Sequence, residues 1–255
     1  IARDFNGEVI SADSRQVYKG MDIGTGKDIP EGFKFETSDL RFKGRKIGYY
    51  ADGKTRIWGY DLVDPKKNFS VADYVAVAGK IIGDIRERKK LPILVGGTGF
   101  YIKALLDGVA TMRIAKNENL RKKMVKITTE ELFEILLKVD SQRADRMNES
   151  DKKNPRRLIR AIEVAEYYLK NPGRDSGTMI RIIEVGDADV MLIGLTAPRD
   201  HLKRRIDLRV DERIERGFEK EDIGLLKKGV GYESQAMQSL GYKQFAGYFK
   251  KNISS

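Results

Sequence analysis

The amino-acid sequence predicts a doubly wound α/β fold carrying a helical insertion. Three observations predict it: short apolar runs of strand length, helical periodicities between them, and a stretch from about Met112 to Val185 where strands give way to charged, helical patterning.

The runs Glu8 to Ala12, Tyr60 to Val63, Leu91 to Val95 and Val190 to Leu195 have the length and apolar character of buried parallel strands. Between Gly32 and Ile57, Lys43-Gly44 and Asp52-Gly53 are turn signals separating short aromatic or charged runs, which predicts an inserted hairpin. Ser70 with Asp73 three residues on reads as a capping box, and Tyr74, Ala78, Ile81 and Ile85 recur at helical spacing as far as Arg88-Lys89-Lys90. In the insertion, Asn154 predicts an N-cap and Pro155 the first residue of a helix. Its Leu158, Ile162, Ala165 and Leu169 share one face until Asn171-Pro172-Gly173. A later helix, from about Asp200 to Arg216, repeats Leu202, Ile206, Val210 and Ile214 every four residues and stops at Gly217. The expected division is an α/β core over residues 1–111 and 186–255 with the helical insertion over 112–185.

A chain of 255 residues with 40% hydrophobic content buries a substantial core. Its 49 Lys and Arg against 38 Asp and Glu give a net charge of +11, which favours a polyanionic partner such as nucleic acid; a solvated, highly charged surface accounts for it equally well. With no cysteine and His201 as the single histidine, disulfides, thiolate metal sites and histidine zinc clusters are excluded, and any metal should be oxygen-ligated. The longest charge-free run, Leu91 to Ile102, is too short to cross a bilayer. No signal-peptide pattern opens the sequence, and a cytoplasmic location is the expectation.

Three places are candidates for chemistry. Asp13-Ser14-Arg15-Gln16 follows a predicted strand, at the edge where ligands of open α/β sheets collect. Asp13 can accept a proton, Arg15 can pair with phosphate or stack on a base, and Gln16 can read a base edge; a polar turn after a strand is the plainer explanation. Gly96-Gly97-Thr98-Gly99 leads from a strand into a helix, where glycine backbone and a helix start admit an anion such as a nucleotide phosphate, with Thr98 as a donor. A purely structural turn explains it as well. The third is basic: Lys152, Lys153, Arg156, Arg157 and Arg160 crowd one helix start, where the helix dipole disfavours cations. Arg205, Arg209 and Arg213 form a second stripe, whose neighbours Asp207, Asp211 and Glu215 keep the same rhythm and could pair with it inside the helix.

Taken in order, these segments resemble one family. The runs Gly7 to Tyr18, Met21-Asp22-Ile23-Gly24-Thr25-Gly26-Lys27, Phe69 to Tyr74, Leu91 to Tyr101, Asn154 to Val164 and Ser239-Leu240-Gly241-Tyr242-Lys243-Gln244 are similar to tRNA dimethylallyltransferases, in the same order and across nearly the whole chain. The resemblance implies transfer of a dimethylallyl group from dimethylallyl diphosphate to the exocyclic amine of the adenine 3′ of the anticodon. It also implies Mg²⁺ as cofactor, a P-loop NTPase-like sheet flanked by helices, a helical insertion that binds tRNA, and action as a monomer on the anticodon stem-loop. Asp13 is then the general base and Thr98 lies beside the reacting base. Ser14, Arg15 and Gln16 contact the flipped adenine and its neighbours. Arg156, Arg157, Leu158, Ile159 and Arg160 match tRNA-contacting residues, as do Gln238, Ser239, Leu240, Gly241, Tyr242 and Lys243. Arg205 or Arg209 matches a diphosphate-binding arginine.

The sequence departs from that family pattern in three ways. No GxxxxGK[ST] loop occurs, and Ile1-Ala2-Arg3-Asp4-Phe5 is similar to the tail of the helix that follows such a loop, so the expectation is a fragment without the first strand and P-loop. The family continues with a basic helical segment beyond the position of Tyr248. Its paired histidines are replaced by Ile57-Trp58-Gly59-Tyr60 before Asp61. Two other readings share parts of the pattern. A P-loop nucleotide kinase-like phosphotransferase leaves the Arg-rich insertion helix and Gly241-Tyr242-Lys243 unexplained. A non-catalytic RNA-binding remnant keeps the basic surface without a diphosphate site.

Overall fold

Strand β1 (Gly7–Ser11) lies inside the sheet, with parallel partners on both sides: β4 (Arg56–Trp58) and β5 (Leu91–Val95). The computed structural model describes residues 1–172 and 190–252. The expected hairpin is present: β2 (Lys34–Phe42) and β3 (Arg45–Ala51) turn at Lys43-Gly44, where both residues have positive φ, and β3 turns through Asp52-Gly53 into β4. Because the hairpin adds antiparallel strands, the sheet is mixed, in the order β2-β3-β4-β1-β5, and not wholly parallel.

Two expected strands differ. Residues 60–63 contribute one isolated parallel bridge, Tyr18 with Val63, and the strand lies earlier, at Arg56–Trp58. Gly59 (φ +91°) and Asp61 (φ +55°) take left-handed backbone that an extended run cannot hold. The run Val190 to Leu195 pairs with no strand among the described residues, and Met191, Leu192, Ile193 and Leu195 stand exposed. Among the described residues β5 pairs with β1 alone, and Leu91 and Val95 are exposed.

Helix α1 (Val71–Glu87) covers one face of the sheet. Ser70 and Asp73 form the capping box reciprocally, and Tyr74, Ala78, Ile81 and Ile85 are buried with Val75, Val77 and Ile82. Register explains the opposite row. Tyr49, Trp58 and Ile10 align across β3, β4 and β1 and are buried. Phe35, Tyr50, Ile57, Val9 and Ile93 align on the other face of the pleat and keep partial exposure. Fully burying each large apolar side chain contributes about 1.5–3 kcal/mol, which the buried row gains and the part-exposed row gains only in part.

The chain divides into two compact units, Ile1–Leu106 with Ile182–Ser255, and Asp107–Arg181. The first unit also holds α2 (Gly99–Leu106), α8 (Arg199–Glu215), α9 (Phe218–Lys227) and α10 (Tyr242–Asn252). In α8 no side chain is buried, and the repeated Leu202, Ile206, Val210 and Ile214 are all exposed. The second unit is helical: α3 (Glu118–Met124), α4 (Thr129–Val139), α5 (Ser141–Asp145), α6 (Glu149–Lys152) and α7 (Pro155–Lys170). Leu132 and Leu136 of α4 pack with Leu158, Ile162 and Ala144 as its core. Asn154 caps α7 through the amides of Arg156 and Arg157, with Pro155 at its first position. The expected boundary at 185/186 lies outside the described residues.

One buried carboxylate knits the amino end of β1 to its surroundings. Glu8 accepts two bonds from the Arg88 guanidinium (2.5 and 2.8 Å), one from Lys90 (3.1 Å) and one from the Trp58 indole (2.8 Å). Burial alone raises its pKa, but the bonds from Arg88, Trp58 and Lys90 outweigh that and bring it from the ordinary 4.5 to about 2. A depressed carboxylate stabilises the fold above its unfolded pKa, and this stability is lost as pH falls through the folded value. The chain should therefore lose about 3 kcal/mol between roughly pH 5 and pH 2 through this group. In Glu8→Gln, urea denaturation should show lower stability at pH 7 and a flatter acid limb; an unchanged acid limb contradicts the assignment.

Candidate active site

The carboxyl ends of β1 and β5 lie side by side and carry the first two candidate motifs. Ala12 N–H donates to the Val95 carbonyl (2.8 Å) and Thr98 N–H to the Ala12 carbonyl (3.1 Å). A Cβ at Gly96 would overlap the Ala12 backbone, so glycine there is a packing requirement.

Asp13 then opens a tight turn. Its Oδ1 accepts from the amides of Arg15 (2.7 Å) and Gln16 (3.3 Å), while Oδ2 has no hydrogen-bond partner among the described residues. Ser14 is tied to the β5 side, its N–H donating to Thr98 Oγ1 (3.0 Å) and its Oγ accepting from the Thr98 hydroxyl (3.3 Å). One carboxylate oxygen is thus fixed by backbone and the other left available, with two hydroxyls nearby.

Arg15 and Gln16 serve this architecture as well. Arg15 donates to the Gln235 carbonyl (2.8 Å), and the Gln235 amide exchanges bonds with the Phe69 backbone. Gln16 is engaged at both ends of its amide: Oε1 accepts from Ser11 Oγ (2.7 Å), and Nε2 donates to Gly26 O (2.8 Å) and Thr25 O (3.4 Å). In this arrangement Gln16 holds the loop at Thr25-Gly26 to the end of β1.

That loop rests on residues that the sequence does not mark as functional. Lys27 is buried, and its ammonium donates to Tyr18 O (2.6 Å), Asp22 Oδ1 (2.7 Å) and Asp61 Oδ1 (2.7 Å). The amides of Asp22, Ile23 and Gly24 converge on the Glu221 carboxylate at 2.8, 2.8 and 3.0 Å, and the Tyr242 hydroxyl donates to the same group. Lys27 stands inside a quoted motif, whereas nothing in the spacing around Glu221 distinguishes it from other helical acids.

Cations approach the loop from α8. Arg209 pairs with Asp28 (2.9 Å), Arg216 lies 3.7 Å from the same carboxylate, and a Cβ at Gly26 (φ +65°) would collide with the guanidinium groups of Arg209 and Arg213. Partial burial, then the neighbouring Arg209 charge, push Arg213 below the usual arginine range. Two cations, Arg209 and Arg216, share one carboxylate here, and among the described residues neither pairs with an acid of its own helix. Arg205 is exposed without an acidic partner among the described residues. The Tyr60 ring lies within the influence of Asp28, Asp13 and Arg209, and burial followed by those two carboxylates raises its hydroxyl pKa.

The two segments matched to tRNA contacts present fewer side chains than their lengths suggest. Ser239 and Tyr242 are buried, Gln238 donates to the Tyr232 carbonyl, and Gly241 (φ +95°) makes room for Phe218, which leaves Leu240 and Lys243 outward. In the helical unit Leu158 and Ile159 are core residues, and Arg157 pairs with Asp151. Arg160 is a structural pin: it bonds Glu163 (3.1 Å) and the carbonyls of Thr111 and Ile114 (both 2.9 Å). Arg156 is exposed and has no acidic partner among the described residues.

A family model described as IPP transferase matches residues 53–255. A tRNA dimethylallyltransferase of Thermoanaerobacter sp. (strain X514) is 37% identical over 266 aligned residues, which cover 100% of this chain and 75% of that protein. The crystal structure of a full-length tRNA isopentenylpyrophosphate transferase from Bacillus halodurans is 32% identical, with a TM-score of 0.58, over 98% of this chain and 71% of that one. A eukaryotic dimethylallyltransferase acting on tRNA, 23% identical with a TM-score of 0.68 over 99% of this chain and 59% of its own, shares the fold. With a family model across residues 53–255 and a relative 37% identical along the whole of these 255 residues, this chain belongs to the IPP transferase family.

Proposed function

We propose that the chain is a tRNA dimethylallyltransferase and that Asp13 is its general base. The observation that carries the role is the half-committed carboxylate: backbone amides hold Oδ1, and Oδ2 is available at the ends of the two parallel strands. Adenine's exocyclic amine is a weak nucleophile because its lone pair is delocalised into the ring. As the amine nitrogen bonds to C1 of the dimethylallyl group, the C1–O bond breaks and its electron pair leaves with the diphosphate. Asp13 Oδ2 takes the proton that the nitrogen must shed. The hydroxyls of Thr98 and Ser14 flank the base, and Arg209 with Arg213 at Gly26 supplies positive charge for the departing diphosphate. An unpaired loop adenine must leave its stack to enter such a site.

Among the described residues no three carboxylate or imidazole groups gather to hold a metal alone. A Mg²⁺ ion that keeps most of its ligands as water and substrate oxygens would need only one or two protein oxygens, and the Ser14 and Thr98 hydroxyls would fit, which leaves Asp13 Oδ2 to accept the proton. When bound, the ion supplies neutralisation of the leaving group.

Asp13→Asn keeps the turn's shape and loses the basicity. Single-turnover prenyl transfer should fall by roughly 10²–10⁴-fold while RNA affinity stays within about twofold; transfer near the wild-type rate removes Asp13 from this role. In the helical unit, Arg156→Ala should flatten the dependence of log Kd for tRNA on log salt by about one unit. Arg160→Ala should instead lower thermal stability, by about 1–3 kcal/mol, because it leaves Glu163 and two carbonyls short of a donor. Equal salt slopes in wild type and Arg156→Ala contradict a phosphate contact at Arg156.

A further inference from the structure

A row of aromatic rings runs from the hairpin toward Asp13. Phe35 of β2 meets Tyr50 of β3 edge to face at 5.3 Å between centroids, and Tyr50 meets Tyr60 in the same manner at 6.2 Å. Asp61, the residue after Tyr60, donates its N–H to the Gln16 carbonyl (3.3 Å), so the row ends beside the turn that Asp13 opens. Phe35 and Tyr50 precede residues 53–255, which the family model matches, and Tyr60 lies within them.

The rings are held in place yet accessible. Phe35 is 49% exposed although its ring lies against Gly48, where a Cβ would displace it. The Tyr50 hydroxyl donates to Asp61 Oδ2 (2.7 Å), and the other oxygen of Asp61 is held by the buried Lys27 ammonium. Ordering a loose aromatic side chain on binding costs free energy, and rings already fixed by packing and hydrogen bonds avoid that cost. Cations lie near both ends of the row: Lys34, next to Phe35 in the chain, and Lys54, in the turn after β3, are exposed without acidic partners among the described residues, and Arg209 lies against Gly26, which Gln16 ties to the segment of Tyr60 and Asp61.

We propose that Phe35, Tyr50 and Tyr60 form a stacking platform for the unpaired bases next to the target adenine in the RNA substrate. Fixed aromatic faces bracketed by cations are what single-stranded nucleic acid recognises, through base stacking and phosphate pairing together. The row's two steps of 5.3 and 6.2 Å outreach a five-carbon prenyl chain, which needs an enclosed site at the reacting nitrogen. The platform rests on the transferase reading above.

The test is binding of a fluorescently labelled anticodon stem-loop RNA to the 255-residue chain, followed by anisotropy at several salt concentrations. Phe35→Ala should weaken binding about tenfold or more with an unchanged salt slope, because a stacked base and not a counterion is lost. Phe35→Leu keeps an apolar contact on Gly48; it should show the same loss with wild-type melting temperature, which separates stacking from folding. Phe35→Trp should retain affinity, and its emission should be quenched as RNA binds. Wild-type affinity in both Phe35→Ala and Phe35→Leu overturns the platform while leaving the transferase reading intact. So does a loss confined to the KM for dimethylallyl diphosphate. A wild-type chain that binds no RNA overturns the transferase reading itself, and the platform with it.

Discussion

The buried ammonium of Lys27 is the interaction on which the candidate site depends. Placing an unpaired ammonium inside a protein costs several kcal/mol, so the fold must bring acceptors to it. Its three protons meet Tyr18 O, Asp22 and Asp61, one from the chain just after β1, one from the following loop and one from beyond β4. Those three segments are thereby drawn to one point. Asp61 adopts φ +55°, a conformation unfavourable for a residue with a side chain, and the ion pair with Lys27 and the Tyr50 bond hold it there.

Position propagates outward from that point by hydrogen bonds. With Lys27 seated, the carbonyls of Thr25 and Gly26 stand where the Gln16 amide grips them, and Gln16 is bonded back to Ser11 at the end of β1. Asp13 lies between these anchors, its Oδ1 fixed by the amides of Arg15 and Gln16. Glu221 secures the opposite side of the loop through three consecutive amides, and the buried Tyr242 hydroxyl secures Glu221. The chemistry assigned to Asp13 needs only a carboxylate; its aim comes from neighbours that need never touch substrate.

Much of the local structure was legible because short-range rules decide it. The Ser70–Asp73 capping box, the Asn154-Pro155 helix start and the Lys43-Gly44 turn all appear as read, since each depends on residues within four positions. Asp13 to Gln16 is placed by one topological rule, that ligands collect at the carboxyl ends of strands in open α/β sheets, and Gly96 to Gly99 by its place between a strand and a helix; the structure brings Ser14 and Thr98 of the two segments into hydrogen-bond contact. Failures came where an apolar run needs a distant partner. Val190 to Leu195 pairs with no strand among the described residues, and the Leu202, Ile206, Val210, Ile214 repeat marks its helix correctly yet has no covering surface among the described residues, because periodicity says nothing of what a face packs against. The same limit hid Tyr242 and Arg160. Nothing local to a tyrosine or arginine in a matched segment tells that tertiary neighbours such as Glu221, Thr111 and Ile114 engage its polar atoms. Glu221 had no signal, because a carboxylate that caps three amides 197 to 199 residues away leaves no local pattern.

The organising role of Lys27 is open to direct measurement by native-state hydrogen exchange in wild type and Lys27→Met. The amides of Asp22, Ile23, Gly24, Gly26 and Lys27 bond within this loop or to Glu221, while those of β1 belong to the sheet ladder. If the ammonium holds the loop, Lys27→Met should speed exchange at the loop amides by at least about tenfold relative to those of Val9 and Ile10. Equal protection of the loop in both proteins, or a uniform loss that reaches β1 to the same extent, would contradict the account.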